Sequence, residues 1–108
     1  MKLENKVAIV TGGGKGIGAE ICLRLAKEGA KIVIAEMDIE SGKNTQKKII
    51  ENGGDAIAVN TNVADEISVN NMVQEGIKKF SKIDILINNA GIRPVSYTHL
   101  TLPTILLV

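Results

Sequence analysis

The sequence predicts one α/β domain in which parallel strands alternate with helices on both faces of a single sheet. Four short apolar runs are separated by three longer segments whose apolar residues recur at helical spacing. Glycine-rich turns follow the first and the fourth of these runs. The chain has 108 residues, which is at most one domain of ordinary size.

The four predicted strands are aliphatic and rich in β-branched residues, and turn or charged residues flank them. Such uninterrupted apolar runs are typical of strands that are buried on both faces of a parallel sheet. They occupy residues 6–11, 31–35, 56–59 and 83–87.

The first predicted helix places Ile17, Ile21 and Leu25 on one face, and Gly29 ends it. The third is expected to bury a set of large apolar side chains, namely Ile67, Met72, Val73, Ile77 and Phe80. The three helices occupy residues 17–28, 39–52 and 66–80.

Alternation of this kind implies right-handed crossovers and, in a doubly wound sheet, the strand order 3-2-1-4. The crevice of such a sheet lies between strands one and four, above their carboxyl ends. Both glycine motifs, residues 12–18 and 88–91, fall at those two strand ends. If no further strand follows residue 94, the fourth strand is expected to form an exposed edge of the sheet.

The composition is that of an ordinary soluble protein, with 44% hydrophobic and 23% charged residues and a net charge of +1. This balance gives no electrostatic case for nucleic acid or a membrane surface as a partner. Cys22, the single cysteine, excludes a disulfide within the chain and is expected to be a small buried hydrophobe. No metal-ligand cluster, signal peptide or membrane span is found, so the cytoplasm is the expected location.

The first glycine loop, Gly12 to Gly18, joins a buried strand to an amphipathic helix, which is the position of a phosphate-binding turn. Free N–H groups and the positive dipole end of the helix suit a pyrophosphate. A magnesium-binding P-loop would need Ser or Thr after Lys15, where Gly16 stands. The remaining alternative is a purely structural turn, although the loop holds more glycine than such a turn requires.

The spacing Gly12-xxx-Gly16-x-Gly18 after Thr11, together with Asn88-Asn89-Ala90-Gly91, resembles the two motifs of the short-chain dehydrogenase/reductase family. The resemblance covers residues 1 to about 94 and implies a Rossmann-type fold. It also implies that the first motif cradles the cofactor phosphates. The second motif would support the sheet and line the nicotinamide side of the crevice.

Glu36 favours NAD over NADP as the cofactor. It stands at the end of the second strand, eighteen residues after Gly18, where an acid is expected to bind the ribose 2′-hydroxyl of NAD. Its carboxylate would repel a 2′-phosphate, whereas Lys15 argues weakly for NADP. Asp38 is the second candidate for this role, and a solvated acid without a role is the other alternative.

Asn62-Val63 follows the third strand, where the family usually has Asp-Val beside the adenine. The residues expected to bind the cofactor are Thr11, Gly12, Gly14, Lys15, Gly16, Ile17, Gly18, Glu36, Asn62, Val63, Asn89, Ala90 and Gly91.

The catalytic residues that the resemblance implies are not found in the sequence. The family uses a Tyr-x-x-x-Lys pair, a serine and an asparagine in later elements. The only tyrosine, Tyr97, is followed four residues on by Thr101. The chain is therefore expected to be the inactive, cofactor-binding N-terminal part of an NAD(P)-dependent oxidoreductase, similar to 3-oxoacyl-acyl-carrier-protein reductases and secondary-alcohol dehydrogenases.

The substrate of the longer protein would be a small alcohol, ketone or acyl thioester, and that protein would be a homotetramer. The fragment is not expected to assemble. Two other classes stay open: a non-catalytic nucleotide-binding module and, less favoured, a purely structural α/β domain.

Residues 95–108 do not resemble the family and are interpreted as a non-native tail. The codons GTC TCT TAT ACA CAT CTG of a transposon-end sequencing adapter translate to residues 95–100, and a TAG stop codon would follow Val108. The expected division is therefore a nucleotide-binding half-domain, 1–94, and a translated adapter, 95–108. The alternative is a divergent loop and strand.

Overall fold

The computed structural model describes residues 2–90 and 106–107 of the chain. All seven predicted elements are present, and a short eighth follows. In chain order they are β1 Val7–Thr11, α1 Gly16–Lys27, β2 Lys31–Glu36, α2 Ile39–Glu51, β3 Ala56–Asn60, α3 Glu66–Phe80, β4 Ile85–Ile87 and β5 Leu106–Leu107.

The strands form one parallel sheet in the order β3-β2-β1-β4-β5, which confirms the predicted order of the first four. The sequence predicted that the fourth strand is an exposed edge if no further strand follows, with pairing by the strand-like tail as the alternative. Leu106–Leu107 pairs in parallel with Ile85–Leu86, so β5 covers part of that edge. The reason is that an unpaired strand edge offers N–H and C=O groups to any extended segment within reach.

Side chains of the central strands alternate strictly between the two faces of the sheet, because successive residues of a strand point to opposite sides. One face packs against α3, and its strand residues are Val7, Ile9, Val33 and Ala35. The other face packs against α1 and α2, and its strand residues are Ala8, Val10, Ile32 and Ile34. Burial on both faces explains why these strands are continuously apolar.

The buried face of α3 differs from the predicted one at its first turn. Ile67 is 80% exposed, whereas Val69 is fully buried. The side chain of Asp65 caps the helix by accepting a hydrogen bond from the N–H of Ile67, at 3.0 Å. That cap sets where the helix starts, and the buried positions Val69, Met72, Val73, Gly76 and Phe80 then fall on one stripe.

Strand β4 begins at Ile85, two residues later than predicted, because the carboxylate of Asp84 occupies the pairing position. Asp84 Oδ2 accepts a hydrogen bond from the N–H of Val7 at 2.9 Å, while the N–H of Asp84 donates to the carbonyl of Val7. Partial burial disfavours the charged carboxyl, but the hydrogen bond from Val7 and the ammonium of Lys82 outweigh it. They hold the pKa of Asp84 below its usual value.

Cys22 is completely buried between α1 and the sheet, as the sequence predicted. Burial raises the pKa of its thiol to about 12. Since the thiolate is the reactive form, the native thiol should be nearly inert at about pH 8.

We expect a disulfide reagent to label the native chain on the order of 10²–10³ times more slowly than the urea-unfolded chain. Labelling is followed by the absorbance of the released thiol, and the Cys22→Ser variant provides the blank. Equal rates for the native and unfolded chains would contradict both the burial and the raised pKa.

Among the helices of the described residues, none is both long and apolar enough to cross a membrane.

Candidate cofactor site

The two glycine motifs meet at one edge of the sheet. Strands β1 and β4 are parallel neighbours, with Val10 opposite Ile87. Their carboxyl ends therefore place the loop after Thr11 beside the segment 88–90. Gly91, which was also predicted to bind the cofactor, lies outside the described residues.

The hydroxyl of Thr11 holds the two motifs together. Its oxygen accepts hydrogen bonds from the backbone N–H of Asn89, at 2.9 Å, and of Ala90, at 3.1 Å. Its one proton has two alternative acceptors, Asn88 Oδ1 at 3.2 Å and the carbonyl oxygen of Ile87 at 3.4 Å. The side chain of Thr11 is fully buried, and its hydroxyl links chain segments almost eighty residues apart.

The side chain of Asn89 supplies a second link, because its amide nitrogen donates to the carbonyl oxygen of Gly12 at 3.4 Å. Gly12 itself has a positive φ of 65°, in the left-handed region that favours glycine. Gly18 has no room for a side chain, since a Cβ there would overlap the Gly12 carbonyl oxygen and lie 2.6 Å from Asn89 Nδ2. Gly18 thus lets α1 pack directly against the loop.

Gly14 faces the neighbouring helix rather than open space. A Cβ at Gly14 would lie 2.7 Å from the backbone nitrogen of Gly42 and 2.8 Å from Ser41 Cβ, in the first turn of α2. Sequence reasoning missed this contribution of α2 to the loop. The available signal was Gly42, because a glycine inside a helix is unfavourable unless close packing requires it.

The N-terminus of α1 is open, unlike those of the other two helices. Lys15 occupies its N-cap position without a side-chain hydrogen bond, and no acidic residue stands in its first turn. Asp38 and Asp65 cap α2 and α3. A Cβ at Gly16 would meet nothing within 4 Å, and Ile17 is 74% exposed. The free N–H groups of this turn can therefore reach an anion from solvent.

Glu36 lies at the end of β2 with its carboxylate turned toward the loop. Its Oε1 accepts from the N–H of Gly14 at 3.0 Å, and its Oε2 accepts from the N–H of Asp38 at 3.3 Å. These two bonds fix the orientation of the carboxylate. Each oxygen of an ionised carboxylate has a further lone pair, so Glu36 can still accept a hydrogen bond from a hydroxyl group.

Asp38, the second candidate for cofactor choice, has a different place. It caps α2, accepting from the N–H of Ser41 at 3.4 Å and from the Ser41 hydroxyl at 2.9 Å. It also pairs with the ammonium of Lys15, at 2.9 Å. The hydrogen bonds from Lys15 and Ser41 lower the pKa of Asp38 to about 2. Glu36 is thus the last residue of β2, and Asp38 lies two residues beyond it, at the start of α2.

Asn62 and Val63 follow β3 at the same edge, but their side chains are engaged within the protein. Asn62 Oδ1 accepts from the N–H of Ala64 at 3.0 Å, which closes a local turn. Val63 is 5% exposed, so its side chain packs into the protein. The backbone of Asn62 is engaged as well, because its N–H donates to Ser68 Oγ and its carbonyl accepts from the N–H of Asp65, so its side-chain amide nitrogen is the polar group left for a ligand.

A wide concave surface lies elsewhere on the described chain. It is a groove of about 990 Å³ at the opposite edge of the sheet, lined among others by Lys27, Lys31 and Asp55. It includes no residue of either motif. We therefore locate the site by the meeting of the motifs and not by cavity size. Among the described residues no group of His, Cys, Asp and Glu could hold a metal ion.

Comparison with known proteins identifies the family. The sequence model of the short chain dehydrogenases matches residues 6–105. An uncharacterized oxidoreductase of Thermotoga maritima is 48% identical over 93 residues, which cover 86% of this chain and 36% of that protein.

Two solved structures are similar in both sequence and fold. 3-Ketoacyl-(acyl-carrier-protein) reductase from Brucella melitensis, solved with NADH, is 43% identical with a TM-score of 0.77, covering 83% of this chain and 36% of that one. NAD+-bound xylitol dehydrogenase is 37% identical with a TM-score of 0.81, covering 85% and 35%. This chain spans about a third of the length of these relatives. With its parallel sheet and its two joined motifs, the chain belongs to the short-chain dehydrogenase family.

Proposed function

We propose that this chain is the NAD-binding part of an oxidoreductase that moves a hydride between nicotinamide and a secondary alcohol or ketone. The observation that carries the proposal is the Thr11 hydroxyl, which joins the two motifs beneath the open N-terminus of α1. The two similar structures that contain NADH or NAD+ support the choice of cofactor class.

The residues fit a dinucleotide in distinct ways. The N–H groups of the first turn of α1 would hold the pyrophosphate, because that turn is uncapped and Gly16 leaves room for close approach. Glu36 would accept a hydrogen bond from the ribose 2′-hydroxyl, and Asn62 would lie toward the adenine. Asn89 and Ala90, with Gly91 beyond the described residues, would line the nicotinamide side. When bound, the nicotinamide supplies the hydride acceptor or donor.

Glu36 is proposed to select NAD because its fixed carboxylate accepts from a hydroxyl and repels a phosphate. Met37, the next residue, is 59% exposed beside it. The double change Glu36→Ala with Met37→Arg removes the repulsion and adds a bidentate phosphate partner. We expect the ratio of NADH to NADPH affinity to shift toward NADPH by about 100-fold, which corresponds to roughly 3 kcal/mol.

Binding is measured by the fluorescence of the reduced nicotinamide, since the chain has no tryptophan to interfere. Glu40→Ala is the matched control, because it removes one exposed acid from the same region without touching the strand end. Its NADH-to-NADPH ratio should stay close to that of the unchanged chain. Equal binding of both cofactors by the unchanged chain would reject Glu36 as the discriminator.

We also propose that residues 1–94 form the family part of the chain and that 95–108 are a translated adapter. The codon match supports this division. Two observations favour the alternative of a genuine segment: the family match continues to residue 105, and Leu106–Leu107 pairs in parallel with β4. Sequencing reads across codon 94 decide between them, because genomic sequence that continues into a longer reductase would establish the artefact.

A non-catalytic nucleotide-binding module is the second candidate, and the lack of a lysine four residues after Tyr97 favours it. The same reads distinguish the two, since a module would end at Val108 in genomic sequence. A longer reading frame would instead encode an enzyme, and we propose that this enzyme is a homotetramer.

A further inference from the structure

A charged pair spans the loop and α2 beside the proposed ribose site. Lys15 Nζ lies 2.9 Å from Asp38 Oδ2, and the side chains are 66% and 43% exposed. Asp38 is held in place by the hydroxyl and backbone N–H of Ser41. The N–H of Asp38 also donates to Glu36, so the pair lies directly next to the carboxylate that is proposed to select the cofactor.

Without an anionic partner, Lys15 would weaken the preference for NAD over NADP. An ammonium group next to the ribose would attract a 2′-phosphate and partly offset the repulsion by Glu36. In the structure this ammonium already has an anionic partner, which is oriented by Ser41. A 2′-phosphate would have to displace that partner and approach a second carboxylate while doing so.

We propose that Asp38 is a second determinant of cofactor choice, because by pairing with Lys15 it keeps that ammonium from recruiting the 2′-phosphate of NADP. The inference rests on the proposed NAD-binding function. It assigns Asp38 an indirect role, through Lys15, rather than contact with the ribose. Hydrogen bonding lowers the pKa of Asp38 and raises that of Lys15, so both groups stay charged at neutral pH.

The test is a double-mutant cycle on cofactor binding with Asp38→Asn, Lys15→Met and the two changes combined. Asparagine is as good an N-cap as aspartate, so α2 keeps its start. For an exposed pair we expect Asp38→Asn to tighten NADPH binding about fivefold and to change NADH binding about twofold or less. The gain should disappear in the combined variant, because the freed lysine is its cause.

Asp65→Asn is the matched control, since Asp65 also caps a helix, α3, whereas the ion pair of Lys15 is with Asp38. It should leave both affinities unchanged. A gain in NADPH binding that persists in the combined variant would mean that loss of negative charge alone is responsible, and this would overturn the inference.

The outcomes separate this inference from the function on which it rests. NADH preference in the unchanged chain without a gain in Asp38→Asn overturns the role of Asp38 alone. If neither the unchanged chain nor any variant binds NADH or NADPH, both the role of Asp38 and the proposed NAD-binding function are overturned. A readout without ligand is the carboxyl titration of Asp38 by NMR: in Lys15→Met its pKa should rise from about 2 toward the ordinary value of 3.8. An unmoved pKa would also overturn the pairing.

Discussion

The purified 108-residue chain is expected to form no NADH from NAD and any secondary alcohol above a protein-free blank. The reason is chemical. Hydride leaves an alcohol carbon only as the hydroxyl proton is taken up, and the family assigns that proton to a tyrosine whose pKa a lysine lowers. Tyr97, the only tyrosine, has Thr101 where that lysine would stand.

The expected loss is large because two contributions are missing together. General acid–base catalysis alone is worth on the order of 10²–10⁴-fold. Positioning of the substrate against the cofactor contributes further, and about two thirds of the length of the relatives, which this chain does not span, would have to supply it.

The assay follows nicotinamide absorbance over a panel of secondary alcohols, with a full-length member of the family as the positive control. Tyr97→Phe is the informative variant if a signal is found. A rate that Tyr97→Phe abolishes would assign catalysis to Tyr97 and contradict the prediction. A rate that survives this change would point to a contaminating enzyme.

Replacing Thr11 by valine should reduce the free energy of unfolding by about 2–4 kcal/mol. Valine keeps the shape of threonine but removes the hydroxyl that accepts from the N–H groups of Asn89 and Ala90. Those two groups lose their partner, and leaving a buried donor unpaired costs about 1–3 kcal/mol for each group. The loss should also loosen the proposed cofactor site, because this hydroxyl joins its two motifs.

Thr45→Val is the matched control. Thr45 is likewise buried, at 3% exposure, but its hydroxyl makes only long contacts, 3.5 Å to the carbonyl of Gly14 and 3.4 Å to that of Ser41. Its loss should cost about 1 kcal/mol or less. Urea unfolding followed by circular dichroism measures the free energy of unfolding of both variants. Equal losses would contradict a specific stabilising role for the hydrogen bonds that Thr11 accepts.

The order of the elements and the meeting place of the motifs could be predicted from the sequence, because both depend on local signals and on chain chirality. Apolar runs mark the buried strands, and Gly29 and the pair 53–54 end two helices. Right-handed crossovers then leave few arrangements, and the observed order β3-β2-β1-β4 is among them. Thr11 and Asn89 were assigned to the site because the two motifs resemble those of the family.

Only the tertiary structure showed which hydrogen-bond partner each polar group has. Partners that are far apart in the sequence leave no periodic pattern from which they could be predicted. Ile67 could not be excluded from the core until the Asp65 cap had set the start of α3. Gly14 was predicted to serve the phosphates, yet the backbone of α2 is what requires a glycine there.

The clearest division lies between Glu36 and Asp38, two acids that stand almost side by side in the sequence. Composition and spacing could not decide which of the two acids stands at the end of β2, because either could end a strand. The parallel register of β2 with β3 extends to Glu36 and thereby turns its carboxylate toward the loop, whereas Asp38 begins a helix and meets Lys15. The sequence by itself determined that an acid stands at this sheet edge. Only packing against α2 and the glycine loop determined that Glu36 accepts from the N–H of Gly14 and that Asp38 pairs with Lys15.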